Sequence, residues 1–280
     1  MNSQIANFIY GNKVLITGGS SGIGLACARL FSRHGYIVYA ASRNPHSEVL
    51  KFDGGGEIRP VRLDVCDPQS VKSTLESLLA EADIGIVVHS AGIGIACPAE
   101  SYLQDSIERL MDTNFNSILR LNSYLLPHFR SRGSGLCVMI SSVASIFPIP
   151  FQSHYCASKS ALESYAGALR MELADYNIKA ALVLPGDTNT GFTGARNFSI
   201  DEDSPYYEAC INAVSKMEKD ELAGRGPESV SDVVYRLANK KNPPLRTIIG
   251  LEYKLFAFMK RLLPDKLVEF MLKKVYLVSK

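Results

Sequence analysis

Ser142, Tyr155 and Lys159 fall in one stretch that runs from Ile140-Ser141-Ser142 to Tyr155-Cys156-Ala157-Ser158-Lys159. A helix turns once in 3.6 residues, so Tyr155 and Lys159, four apart, share a face and can work on one substrate atom and one cofactor. A nearby ammonium favours phenolate, and the spacing therefore predicts a Tyr155 pKa below the ordinary value of about 10. The serine, from the end of the preceding strand, completes a proton-donating set. Taken in isolation the spacing is better read as a core aromatic beside a solvated surface charge. The surrounding elements decide between these readings.

Short apolar or β-branched runs at 13–17, 37–41, 58–63, 84–89, 135–141, 179–184 and 246–249 predict strands. Between them, helical periodicity covers 22–34, 68–81, 102–132, 155–176, 204–218 and 227–240. Strands apolar on both faces and separated by helices imply a parallel α/β sheet covered on each side, and right-handed crossovers make it doubly wound. With no repeat or linker, one domain is the simplest account: a dinucleotide-binding and catalytic body over 1–250, with 251–280 as its extension.

Thr17-Gly18-Gly19-Ser20-Ser21-Gly22-Ile23-Gly24 follows the first strand and leads into a helical pattern. Glycines at 18, 22 and 24 permit a tight turn and close approach to a pyrophosphate at the positive end of a helix. Such a turn can be a mere loop, but between the first strand and first helix of an alternating chain it reads as a dinucleotide cradle. The second strand ends in Ser42-Arg43 with no acid. A carboxylate there would suit the adenosine ribose of NAD, whereas a guanidinium pairs with the 2′-phosphate of NADP, so NADP(H) is expected over NAD(H). The competing reading makes Arg43 an exposed loop charge.

The chain has 280 residues, a formal net charge of +2, 46% hydrophobic and 21% charged residues, which gives no reason to expect a nucleic-acid partner. Six cysteines lack close pairs and metal-ligand spacing; they read as buried hydrophobes in a reducing compartment, with no metal site. Neither a leader-like start nor an apolar run of about 18 residues occurs, and a cytoplasmic location is expected.

These motifs resemble the short-chain dehydrogenase/reductase family over residues 13–250. The glycine segment has the form Thr-Gly-x-x-x-Gly-x-Gly, and Ser142 precedes Tyr155 by thirteen residues. Asp64-Val65 is similar to the pair that contacts adenine, and Asn114 to the asparagine that completes the catalytic set. Pro185-Gly186 with Thr188 and Thr190 is similar to the segment that closes over the nicotinamide. After the fourth strand the chain has His89-Ser90-Ala91-Gly92 where the family commonly places Asn-Ala-Gly. Ser90 keeps a hydrogen-bonding group near the ribose with less reach, and His89 reads as structural.

The resemblance implies a Rossmann-type fold with a mainly parallel seven-stranded sheet and association as a homodimer or homotetramer through helices 102–132 and 155–176. It implies hydride transfer between NADPH and a carbonyl, with Tyr155 as general acid and Ser142 on the carbonyl oxygen. Lys159 would lower the tyrosine pKa and hold the ribose, and Asn114 would resupply protons through a water. The segments Tyr155-Cys156-Ala157-Ser158-Lys159 and Asn242-Pro243-Pro244-Leu245-Arg246 are similar to members acting on steroids, retinoids and other lipid-like ketones. Two other readings stand beside this: a 3-oxoacyl thioester reductase, and a non-catalytic NADP(H)-sensing module.

Substrate choice is expected from 145–154, where Ile146, Phe147, Pro148, Ile149, Pro150 and Phe151 make an apolar loop, from a lid over 187–204, and from the tail. Residues 251–280 interleave apolar and basic side chains and predict two amphipathic helices hinged at Pro264. They would either lie on an anionic lipid surface as a peripheral membrane contact or pack over the pocket or another subunit.

Overall fold

The computed structural model describes residues 8–101 and 104–277. The first strand, β1 (Lys13–Thr17), is followed by α1 (Gly22–Arg33), β2 (Ile37–Ser42), β3 (Leu50–Lys51), β4 (Glu57–Arg62), α2 (Pro68–Glu81), β5 (Ile86–His89) and β6 (Ile95–Ala96). Then come α3 (Gln104–Met111), α4 (Ser117–Arg132), β7 (Gly135–Ile140), α5 (Ser153–Glu172), β8 (Ile178–Leu184) and β9 (Asn197–Phe198). The chain closes with α6 (Tyr207–Ala223), α7 (Glu228–Ala238), β10 (Arg246–Ile248), α8 (Leu251–Lys260) and α9 (Asp265–Tyr276).

The main sheet has the order β10-β8-β7-β5-β1-β2-β4-β3. Chain order runs from β1 outward through β2 and β4, then reverses, with β5 pairing the other side of β1 (Val14 opposite Ile86). Dinucleotides bind at such a switch point, outside the carboxyl ends of the strands. Alternate strand residues serve opposite layers. Leu15, Val87, Met139 and Leu182 pack under α2, α4 and α5, while Ile16, Val88, Val138 and Val183 pack under α1 and α7. That two-sided burial is why the strands read as continuous apolar runs.

Two expectations are corrected, the strand count and the continuity of the helix over 102–132. The sheet has eight strands, because β3 adds two residues antiparallel to β4; two exposed positions leave no apolar pattern to read. A second, parallel pair joins β6 to β9. The helix expected over 102–132 is interrupted by a π-helical turn, Asp112–Asn116, between α3 and α4, and its first two positions lie outside the described residues. Extra residues in a helical turn push one side chain out of the regular stripe, and that turn carries Asn114.

The tail forms two helices, α8 and α9, with Pro264 between them. Among the described residues no helix is long and apolar enough to cross a membrane.

Candidate active site

Two cavities meet over the carboxyl ends of β1 and β5. One of about 690 Å³ is walled by Ser20, Arg43, Asp64 and Val65. The other, about 430 Å³, is walled by Gly22, Ile23, Ser90, Ser142, Tyr155, Lys159 and the segment Pro185, Gly186, Thr188, Thr190. They share Gly18, Ser21, Ala91 and Gly92, which makes them one continuous groove. Of the residues named from sequence, only Gly24 and Asn114 stand behind its walls rather than in them.

Gly18 has φ +68°, and a Cβ there would lie 3.0 Å from the Ala91 nitrogen. A Cβ on Gly24 would lie 2.2 Å from the Gly18 carbonyl oxygen, so only glycine lets α1 start this close to the turn. Thr17 Oγ1 accepts from the Ser90 and Ala91 nitrogens at 3.2 and 3.3 Å, tying the ends of β1 and β5 together. The Ser21 side chain does not cap α1, and the positive helix end faces the groove. At the other end of the groove Arg43 is exposed and in no ion pair among the described residues, while Ser42 Oγ is buried without a partner. A glycine cradle, an uncapped helix end, a free guanidinium and an orphaned hydroxyl fit a phosphorylated dinucleotide.

The strand end at Ile140 and the start of α5 bring Ser142, Tyr155 and Lys159 together. Ser142 Oγ accepts from the Ala144 nitrogen at 3.1 Å, which fixes the short turn after β7. Lys159 is 5% exposed, donates from Nζ to the Ile140 carbonyl at 2.9 Å, and lies 5.7 Å from the Tyr155 ring centroid. Burial lowers its pKa to about 8. Tyr155 departs from expectation: burial pushes its hydroxyl up, and a hydrogen bond with Ser142 opposes that without reversing it. Lys159, its nitrogen held by the Ile140 carbonyl, is not among the groups that shift the phenol; the cation that acts on it is Arg196, and its lowering falls short of the desolvation.

Asn114, fully buried, exchanges hydrogen bonds with Ile93 (2.9 Å to Oδ1, 3.0 Å from Nδ2) and donates to Ser158 Oγ at 3.1 Å. It thereby pins the 90–94 turn to α5. His89 is buried, donates from Nε2 to Asn122 Oδ1 at 3.0 Å, and has its pKa lowered to about 4 by burial. A neutral ring in a core network is a structural histidine, as the sequence suggested.

Sequence reasoning missed several walls of the site. Phe192 lies 5.8 Å, centroid to centroid, from Tyr155. Glu221 of α6 lines the catalytic cavity, accepts from Thr193 Oγ1 at 2.6 Å and pairs with Arg196, whose side chain is 1% exposed. This clamp, with Asn197 N–H donating to Gly94 at 3.0 Å, holds the expected lid down. Nothing in the pattern of α6 marks Glu221, because its role comes from contact with a segment 28 residues away.

The model of the short chain dehydrogenase family matches residues 12–200. The chain belongs to that family. A curated relative, 3-ketodihydrosphingosine reductase of Bacteroides thetaiotaomicron, is 34% identical over 269 residues, covering 95% of this chain and 98% of the relative. Among solved structures, a short-chain dehydrogenase from Burkholderia cenocepacia in complex with NADP has a TM-score of 0.73 at 19% identity, covering 94% of this chain and 98% of the other. One from Burkholderia phymatum in complex with NAD has a TM-score of 0.76 at 19% identity, covering 91% and 94%. This short-chain dehydrogenase thus has the fold on which both forms of the nicotinamide cofactor are found, and it is an oxidoreductase.

Proposed function

We propose that this short-chain dehydrogenase reduces the carbonyl of an apolar, lipid-like ketone, with NADPH as reductant and Tyr155 as general acid. The observation that carries the reading is that Ser142, Tyr155 and Lys159 share one cavity that is continuous with the dinucleotide groove. When bound, the nicotinamide supplies the hydride. Tyr155 holds the proton that passes to the carbonyl oxygen as negative charge builds there, and its raised pKa keeps the phenol protonated near neutral pH. Ser142 donates a hydrogen bond to the same oxygen, strongest in the transition state. Lys159, anchored on Ile140, presents its remaining N–H groups toward the ribose and proton path, and Asn114 fixes the turn that faces it.

Arg43, the unpartnered Ser42 hydroxyl and the absence of an acid at the end of β2 support NADPH. The apolar loop at 146–151 and the nearly full-length likeness to a 3-ketodihydrosphingosine reductase support a lipid-like substrate. On α8, α9 and the turn between them, Leu251, Leu255, Phe258, Leu262 and Phe270 are exposed among Lys254, Arg261, Lys266 and Lys274. An apolar face flanked by cations complements an anionic bilayer, on which these helices rest in this reading. Met171 on α5 and Leu119 on α4 are exposed apolar side chains on the helices assigned to self-association.

The test is NADPH oxidation with a panel of ketones and 3-oxoacyl thioesters. Tyr155→Phe is expected to cost about 10²–10⁴-fold in kcat. Near wild-type turnover by that variant overturns the assignment, preference for thioesters favours the acyl reductase, and no oxidation with any panel member favours the sensing module.

A further inference from the structure

A third cavity, about 260 Å³, lies between the α8–α9 pair and the segment following Ser142. Its walls are largely hydrocarbon: Phe147, Met259, Leu263, Val268 and Leu272. Of the polar side chains that line it, all but Tyr276 are partnered among the described residues. Tyr253 Oη donates to the Asp187 carboxylate, Lys260 Nζ donates to the Ile146 carbonyl, and Asp220 pairs with Lys216. A space lined mostly by hydrocarbon, with one unpartnered hydroxyl among its walls, favours an apolar occupant over water.

This space adjoins the catalytic cavity, with which it shares Val143, Ile149 and Asp187. At its other end Phe256, Met271 and Val275 line it and are also about half exposed. The cavity thus runs from the reacting centre to the outer face of the two helices. The catalytic and apolar spaces have Val143, Ile149 and Asp187 as a common wall, so one extended molecule can occupy both. Met259 and Met271, unbranched and adaptable, suit a chain of variable conformation.

We propose that this space is a chamber for an unbranched alkyl chain of the substrate. Ketone carbons next to Tyr155 then continue past Val143 and Ile149 into the gap beneath α8 and α9. The assignment rests on the reductase reading and narrows it from apolar ketones in general to long-chain ones. It also gives the tail helices a role in specificity independent of any contact with lipid.

The experiment measures kcat/KM with NADPH for straight-chain ketones from hexan-2-one to dodecan-2-one. Each methylene that enters the chamber should raise kcat/KM by about fourfold, until the chamber is filled and the curve flattens. Leu272→Trp, and separately Met271→Trp at a half-exposed wall position, should move that flattening to shorter ketones and cost dodecan-2-one at least tenfold more in kcat/KM than hexan-2-one. A second readout needs no turnover: NBD-labelled dodecanol should bind the wild-type protein, be displaced more tightly by longer alkanols, and bind at least tenfold more weakly to both variants. No chain-length dependence, or an equal loss at every length, overturns the chamber. If no ketone is reduced the reductase reading fails, and the dodecanol measurement still decides the chamber: unchanged probe binding in the variants overturns it.

Discussion

Gly186→Ala tests whether the tail helices are built into the site. A Cβ at position 186 would lie 2.0, 2.4 and 2.5 Å from Cε2, Cδ2 and Cζ of Tyr253. Ordinary contact needs 3.4 Å or more, so the ring must retreat by about 1.4 Å. That displacement breaks the bond from Tyr253 Oη to Asp187 and lifts α8 from the segment Pro185, Gly186, Thr188, Thr190 that walls the cavity of Tyr155. Overpacking costs about 1–3 kcal/mol and a hydrogen bond to a charged group about 1.5–3 kcal/mol, giving an expected loss near 3 kcal/mol after partial relaxation. Urea midpoints followed by far-ultraviolet circular dichroism read the stability, and KM for NADPH reads the segment. Because the clash is with one ring, Tyr253→Ala should absorb it: in that background Gly186→Ala should cost less than about 0.5 kcal/mol, a coupling of about 2 kcal/mol or more. Equal cost in both backgrounds would refute the argument, since the penalty would then lie in the backbone at 186 and not in the ring.

Arg43→Asp should shift preference from NADPH toward NADH by about tenfold or more in the ratio of kcat/KM values, because a charge-assisted pair is replaced by repulsion; an unchanged ratio removes Arg43 from the cofactor site. His89, held neutral with a pKa of about 4 against an ordinary 6.5, gives pH-dependent stability. The unfolded chain takes up the proton first, so stability present above about pH 6.5 is lost as pH falls toward 4, reaching about 2 kcal/mol by about pH 5. His89→Gln should lack that component when urea midpoints at about pH 7.5 and 5 are compared, and an identical loss in both proteins would contradict it. Phe258→Ser with Leu262→Ser, both at exposed positions, should reduce flotation with vesicles containing phosphatidylserine and leave activity on soluble ketones intact. Unchanged flotation, or a change in oligomeric state instead, would turn the exposed face into a protein contact.

Local physics made much of the chain legible. Two-sided burial leaves apolar runs, so β1 and α2 fall at the residues their patterns mark, and Asp67 followed by Pro68 stops and starts the chain where a capped helix must begin. The cradle from Gly18 to Gly24 and the trio Ser142, Tyr155 and Lys159 were visible because a backbone turn or one helical face imposes their spacing. Short edge strands such as β3 bury too little to leave a pattern, and the π turn at Asn114 obeys no simple period.

Contacts between segments distant in sequence lie beyond such reading. The Glu221–Arg196 clamp, the Tyr253 ring on Gly186 and the hydrocarbon gap beneath α8 and α9 each join elements that no local period connects. Even the tyrosine shows the division. Its four-residue spacing from Lys159 is local, but the direction of its pKa followed from burial. Spacing along a helix determines which groups can meet, whereas desolvation and the choice of hydrogen-bond partner depend on everything packed around them. The sequence by itself therefore determined the family, the alternating fold and the order of the candidate site residues along the chain. Only the tertiary structure decided how those residues are buried and partnered and which cavities adjoin them.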